Sequence, residues 1–393
     1  MRTLMAAAFI LSILVTGVAV RAAVPPTPAA KQYAPWKNGP STDPSFFPIA
    51  VWAQQPRHAE AYKAIGINIY YGLHGGPTEA ELAALKKAGL KTICTQNEVG
   101  LKHLDDPTII GWMHGDEPDN MKQVDGKWVP VARPEEIQAD YAKWRKNDPT
   151  RPIVLNLGQG VSNINYKGSW VRDEKQYVEF LKGCDIVSYD IYPVVGQRPE
   201  TDNKLEMVAF GVDRLYKLSA GKRIVWNIVE CTRISHPTAK PTPDQVKAEV
   251  WMSLVHGSTG ICYFCHEFKP NPEDSAAMLH DKEMSEAIGK INRQITELAP
   301  VLYSPTVDGA VHVASENKDV PVDVMVKRHE GAVYVFAVAM RGAETRAAFQ
   351  IGGGKATVEV LGEDRTIEAS GGKFVDSFKP WGVHLYKIAK PAK

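Results

Sequence analysis

The sequence has almost no net charge: 46 Lys and Arg stand against 45 Asp and Glu in 393 residues, a formal +1. Nucleic-acid binding by bulk field needs an excess of clustered basic residues, and disorder needs low hydrophobicity with high net charge. At 44 % hydrophobic the chain offers neither, so its partners are recognised by local sites. Cysteine is scarce, five residues in all, and the spacing fits no zinc motif. Cys262-x-x-Cys265 lies in an apolar run where a strand is expected and reads as buried small residues. No Gly-x-Gly-x-x-Gly or Walker-type loop is present to cradle phosphates, and no Gly-x-Ser-x-Gly elbow to present a serine nucleophile.

Long apolar runs are confined to the start. Arg2 precedes the apolar stretch Leu4 to Val20, which ends at the small residues Ala22 and Ala23 before Pro25 and Pro26. This is the pattern of a secretory leader, residues 1–23, cut after Ala22 or Ala23. A lead-in over 24–43 follows, Pro/Ala-rich near residues 24–30. No later segment reads as a membrane span, so the expectation is an exported chain, periplasmic or secreted. An oxidising compartment permits a disulfide among Cys94, Cys184, Cys231, Cys262 and Cys265, and an odd count leaves at least one thiol free. The oligomeric state is not written in the sequence.

From about residue 44 to 300, short apolar runs alternate with helix-like stretches, the pattern of parallel strands joined by crossovers. The runs are Phe47 to Trp52, Ile67 to Tyr71, Lys91 to Thr95, Ile109 to His114, Pro152 to Leu157, Asp185 to Ile191, Arg223 to Val229 and Gly260 to Phe264. Helix signals fall between them: capping boxes at Thr78–Glu81 and Thr242–Gln245, Pro134 opening a helix to Lys146, and further candidates over 173–182, 204–219 and 275–299. Eight such strands over about 250 residues predict a (β/α)8 barrel, a TIM barrel of α/β class. After Pro300 the texture changes to alternating runs such as Ala332 to Val338, separated by glycine-rich turns at 352–354 and 371–372. This predicts a small all-β sandwich over 301–393 that packs against the barrel.

In such barrels reactive groups sit at the C-terminal ends of the strands. Glu117 follows the fourth predicted strand in Trp112-Met113-His114-Gly115-Asp116-Glu117-Pro118, and Glu230 ends the seventh. A carboxylate closing an apolar strand costs desolvation unless something uses or pairs it. With a barrel radius of roughly 7 Å, strand ends three steps apart lie about 13 Å across. Two inward glutamates of about 4 Å each then leave roughly 5 Å between carboxyls, the retaining spacing.

These residues resemble the 4/7 superfamily of retaining glycoside hydrolases, clan A, through Trp112 to Pro118 on strand four and the glutamate ending strand seven. The resemblance covers the barrel and implies Glu117 as general acid/base, Glu230 as nucleophile, a carbohydrate substrate with β-linkages, and no metal or organic cofactor. It also implies a strand-six tyrosine bonded to the nucleophile, here Tyr192 in preference to Tyr189. Asp116 departs from the family's asparagine, which leaves recognition of the sugar 2-hydroxyl open. Expected sugar contacts are Trp52, Tyr70, Tyr71, His74, Asn97, His114, Asp116, Asn156, Tyr192, Trp226 and His266. Asp190 and Glu267 are rival carboxylates, and Glu98 a weaker one. Two other readings stand beside this one: a degenerate barrel that holds glycans without cleaving them, and a metal-dependent hydrolase using His74, His114, Asp116 and His266.

Overall fold

The structure is a computed structural model that describes residues 29–389 apart from 74, 75, 197 and 270–272. The leader, the first part of the lead-in and the candidate His74 lie outside the described residues. The eight expected runs are eight parallel strands: Ile49–Trp52, Ile69–Tyr71, Lys91–Cys94, Ile109–Met113, Ile153–Leu157, Ile186–Tyr189, the split pair Ile224–Val225 and Asn227–Glu230, and Ile261–Phe264. Strand eight pairs with strand one through Ile49 and Ile261. The two halves of strand seven pair with six on one side and eight on the other, which closes the barrel.

Local chemistry sets the helix limits. The Thr78 hydroxyl accepts from the Glu81 N–H while the Glu81 carboxylate accepts from the Thr78 N–H, and Gly89 ends the helix in the left-handed region. Thr242 and Gln245 repeat the device ahead of Pro243–Val255. The single helix expected over 275–299 is two, Ala277–His280 and Lys282–Leu302, because Asp281 accepts from the Met284 N–H and starts a new helix. The second runs through Pro300, where one lost bond in the last turn is outweighed by burial of Ile288, Ile291, Ile295, Leu298 and Leu302. The hairpin Met121–Val124 and Lys127–Pro130 has no counterpart in the sequence reading.

The barrel is filled by Ile69, Tyr71, Ile93, Ile110, Met113, Val154, Ile186, Trp226 and Ile228, among others. Its floor is plugged by Tyr33, whose hydroxyl accepts from the Trp226 indole at 2.9 Å. Two antiparallel sheets follow, one of five strands (Val322–His329, Ala332–Ala339, Val383–Ile388, Ala356–Val360 and Arg365–Ala369) and one of three (His312–Ser315, Thr345–Gln350 and Lys373–Phe378). The five-stranded sheet shares a core with the barrel through Phe336 and Leu385, and Trp251 of helix Pro243–Val255 packs on Phe336 at 5.3 Å between ring centres.

His256, just past that helix, ties the two parts by charge. Its Nδ1 lies 2.8 Å from Asp213 and its Nε2 3.1 Å from Asp323 on the sandwich. Burial would lower its pKa, but the bonds to Asp213 and Asp323 outweigh it and push it up to about 9. A histidine raised on folding stabilises fully below its unfolded value of about 6.5, and that contribution is lost as pH rises through about 9. Both carboxylates are partly solvated, which screens the gain to about 1–2 kcal/mol. Replacing His256 by Gln is expected to lower the melting temperature at pH 6 and to have little effect above about pH 9.5. Thermal denaturation across this range measures it, and an unchanged difference at both ends would contradict the pairing.

Candidate functional site

Three carboxyls converge at the C-terminal ends of strands four and six. Asn156, inward on strand five, holds two of them: its Nδ2 donates to Asp116 at 2.9 Å and to Asp190 at 3.3 Å. The Asn156 carbonyl accepts from the Ser188 hydroxyl at 2.7 Å, and Ser188 meets the Tyr71 hydroxyl at 2.9 Å. A polar chain thus runs from the packed barrel interior up to the carboxyls. Among these groups Asp116 is the most open to solvent, and Glu117 and Asp190 are half-buried.

Glu117 takes its place by an unusual backbone. Its φ of 44° is left-handed, its N–H donates to the Asn156 backbone carbonyl at 3.2 Å, and its Oε2 accepts from Asn120 at 2.6 Å. Gly158 makes room for it, since a Cβ there would stand 2.9 Å from the Asn120 amide and 3.0 Å from Glu117 Oε1. Asp119, fully buried, accepts from the Gly158 N–H at 2.8 Å and from the Tyr177 hydroxyl at 3.2 Å, which locks the two loops together.

The electrostatics follow from crowding. Burial first, and then the charges of Asp190, Asp116 and Asp119, push Glu117 up to about 10. Burial and Asp116 raise Asp190 to about 7, and loss of bulk water raises Asp116. Glu117 and Asp190 are in hydrogen-bond contact, so between these values the pair holds one proton. The Tyr192 hydroxyl, buried, is turned toward Asp190, and its ring lies 5.3 Å from Phe264.

Several expected residues stand elsewhere. Glu230 is fully buried, with Oε1 accepting from the Val194 N–H at 2.6 Å and Oε2 from the Val195 N–H at 3.0 Å, and it lies against the buried Glu249 of helix Pro243–Val255. It has no exposed surface, and its oxygens are engaged by the loop after strand six and by Glu249, so the open carboxyl that the expected Glu117/Glu230 pair calls for is not presented here. Tyr70 points out of the barrel onto Tyr62, because Ile69 and Tyr71 point in. His114 also points out, stacked on Trp144 with Nε2 2.8 Å from the Gly183 carbonyl. Asn97 caps helix Glu98–Lys102, accepting from the Gly100 N–H and donating to the Pro77 carbonyl. Trp226 and Tyr71 are sealed in the barrel interior and contact no solvent. Trp52 shows a thin edge, and His266 stands at the mouth between Phe264 and Phe268, its Nε2 3.1 Å from the Gln54 amide. Of the metal reading's ligands, His74 lies outside the described residues, and among the other three His114 faces away from the carboxyl cluster that holds Asp116.

The sequence reading missed Asn120, Asp119, Ser188 and Gly158. The first two follow Glu117 within three residues, and a loop that carries an acid and two further hydrogen-bonding side chains was the available signal.

With this geometry in place, comparison with known proteins is informative. A family described as β-galactosidase, glycoside hydrolase family 42, matches residues 135–301. This chain resembles the 4/7 glycoside hydrolases. The match, to under half of the chain, supports a glycoside hydrolase and covers Asp190 and Glu230 but not Glu117. Among solved structures, a family 42 β-galactosidase from G. stearothermophilus is 8 % identical with a TM-score of 0.55, covering 88 % of this chain and 98 % of its own. An α-amylase from Geobacillus thermoleovorans is 11 % identical with a TM-score of 0.53, covering 88 % and 99 %. A family 5 glycoside hydrolase from Bacteroides vulgatus is 14 % identical, TM-score 0.53, covering 88 % and 90 %. At these identities the likeness is one of fold. No curated protein matches the sequence.

A site that works with Asp190 ionised and Glu117 protonated has a bell-shaped pH profile. The acid limb lies near 7 and the alkaline limb near 10, so kcat/KM on a chromogenic glycoside is expected to peak above neutrality. A peak below about pH 5 would contradict the shared-proton arrangement.

Proposed function

We propose that this glycoside hydrolase cleaves β-glycosidic bonds of an oligo- or polysaccharide, β-galactosides foremost, with Glu117 as proton donor and Asp190 as the ionised carboxylate. The observation that carries the reading is the convergence of Asp116, Glu117 and Asp190 around Asn156, with Glu117 held protonated. The family match supports the galactoside preference.

Glu117 gives its proton to the glycosidic oxygen while an Asp190 oxygen attacks the anomeric carbon. The covalent glycosyl-Asp190 ester is then hydrolysed by water that Glu117 deprotonates, and Glu117 regains its proton. Direct contact between the two carboxyls is far short of the separation of about 6.5–9.5 Å that an inverting water requires, which supports retention once a sugar parts them to about 5 Å. Asp116, open to the cleft and fixed by Asn156, is placed to accept from sugar hydroxyls. Glu230 keeps a structural part, satisfying the Val194 and Val195 N–H groups. The leader-like start supports export of the mature chain.

Glu117→Gln and Asp190→Asn are each expected to lower kcat by about 10³-fold, whereas Glu230→Gln, which sets an amide NH2 against a buried backbone N–H, is expected to lower the melting temperature and to change kcat by less than about tenfold. Trapping with a panel of 2-fluoro-glycosides, followed by peptide mass mapping, should place the label on Asp190 and report the sugar. A label on Glu230, with loss of turnover in a well-folded Glu230→Gln, would overturn this assignment and restore the cross-barrel pair.

A further inference from the structure

Cys231 and Cys265 stand one residue beyond Glu230 and Phe264, the last paired position of strands seven and eight. Adjacent strands run about 4.8 Å apart, inside the Cα separation of about 4.4–6.8 Å that a disulfide spans. The two residues share a face: both belong to the core outside the barrel, with Val229 and Tyr263, whereas Cys262 points into the barrel with Ile228. Cys231 Sγ donates to the Phe264 carbonyl at 3.1 Å, across on the neighbouring strand, and Cys265 Sγ to the Tyr263 carbonyl at 3.2 Å, which leaves the two thiols in contact. Both residues stand just past the last paired position of the two strands.

We propose that Cys231 and Cys265 are a disulfide pair, present here as thiols and joined when the chain folds in contact with a low-molecular-weight disulfide such as oxidised glutathione. One cysteine thiolate attacks the glutathione disulfide, forming a mixed disulfide and releasing one glutathione thiolate. The second cysteine thiolate attacks the protein sulfur of that mixed disulfide and releases the other. Two protein thiols are oxidised, one glutathione disulfide is reduced to two thiols, and the two protons pass to the released thiolates. Both sulfurs are buried in the folded chain, so the exchange belongs to folding, before the surrounding core closes over them. The bond would lock the start of the loops after strands seven and eight, beside Glu230 on one side and Phe264 at the cleft wall on the other.

The test is a disulfide map of the full chain, refolded in a reduced/oxidised glutathione buffer, denatured in iodoacetamide and digested without reductant. Expected is one cross-linked peptide pair through Cys231 and Cys265, with Cys94, Cys184 and Cys262 alkylated. Alkylation of all five, or a Cys262 to Cys265 link, would overturn the proposal. A second readout needs no mapping. Reductant should lower the melting temperature of the refolded native chain and leave that of Cys231→Ala/Cys265→Ala unmoved, whereas an equal response in both would count against the bond.

Discussion

The site depends on a proton that two carboxyls cannot both give up. Glu117 and Asp190 touch within a barrel mouth where water is thinned, and two negative charges at contact distance in such surroundings repel by several kcal/mol. Retaining one proton removes that cost, and it also provides the asymmetry hydrolysis needs, one acid and one base. Asn156 and burial together decide which is which. The Asn156 amide donates to Asp116 and Asp190, whereas burial and the surrounding carboxylates raise Glu117 furthest in spite of the Asn120 amide at 2.6 Å, so the proton is left on the glutamate. Everything beneath Asn156, through Ser188 and Tyr71, serves to hold that amide in one orientation.

The same molecule buries a second carboxyl pair and puts it to a different use. Glu230 and Glu249 are both closed from solvent, and burial raises both. Here two backbone N–H groups face Glu230, which steadies its charge, and Glu249 takes the proton. A strand-end glutamate is therefore not identified as catalytic by its position alone. What separates the two pairs is access: Glu117 and Asp190 are partly exposed, while Glu230 is fully buried and spends both oxygens on the loop that follows strand six.

The barrel was legible because its signal is redundant. Each of eight strands is a short apolar run bounded by a cap, a glycine or a proline, so an error of two residues at an edge leaves the count intact. The direction of a side chain carries no such redundancy. Tyr70 and Tyr71 are adjacent and cannot both face the interior of one strand, and the pleat alone would have removed one of them. His114 is subtler: the register slips by one between strands three and four, at Thr92 and Ile93, and this sets Ile110 and Met113 inward together and turns His114 out. Asp190 was visible as a rival carboxylate, but its contact with Glu117 depends on loop geometry after strands four and six, where no periodicity runs.

That loop geometry has a cost, and its location is informative. Glu117 is held left-handed, a conformation that costs a non-glycine residue on the order of 1 kcal/mol or more. The surroundings offset it point by point. The Glu117 N–H is satisfied by Asn156, the Glu117 carbonyl accepts from the Asn120 N–H, Trp170 bonds the carbonyls of Pro118 and Asp119, and Asp119 is anchored on Gly158 and Tyr177. A relaxed backbone at residue 117 would carry the carboxyl away from Asp190 and dissolve the shared proton. The fold therefore maintains the strain at the residue proposed as the acid, and Asp119, a group that never meets solvent, is the clamp that maintains it.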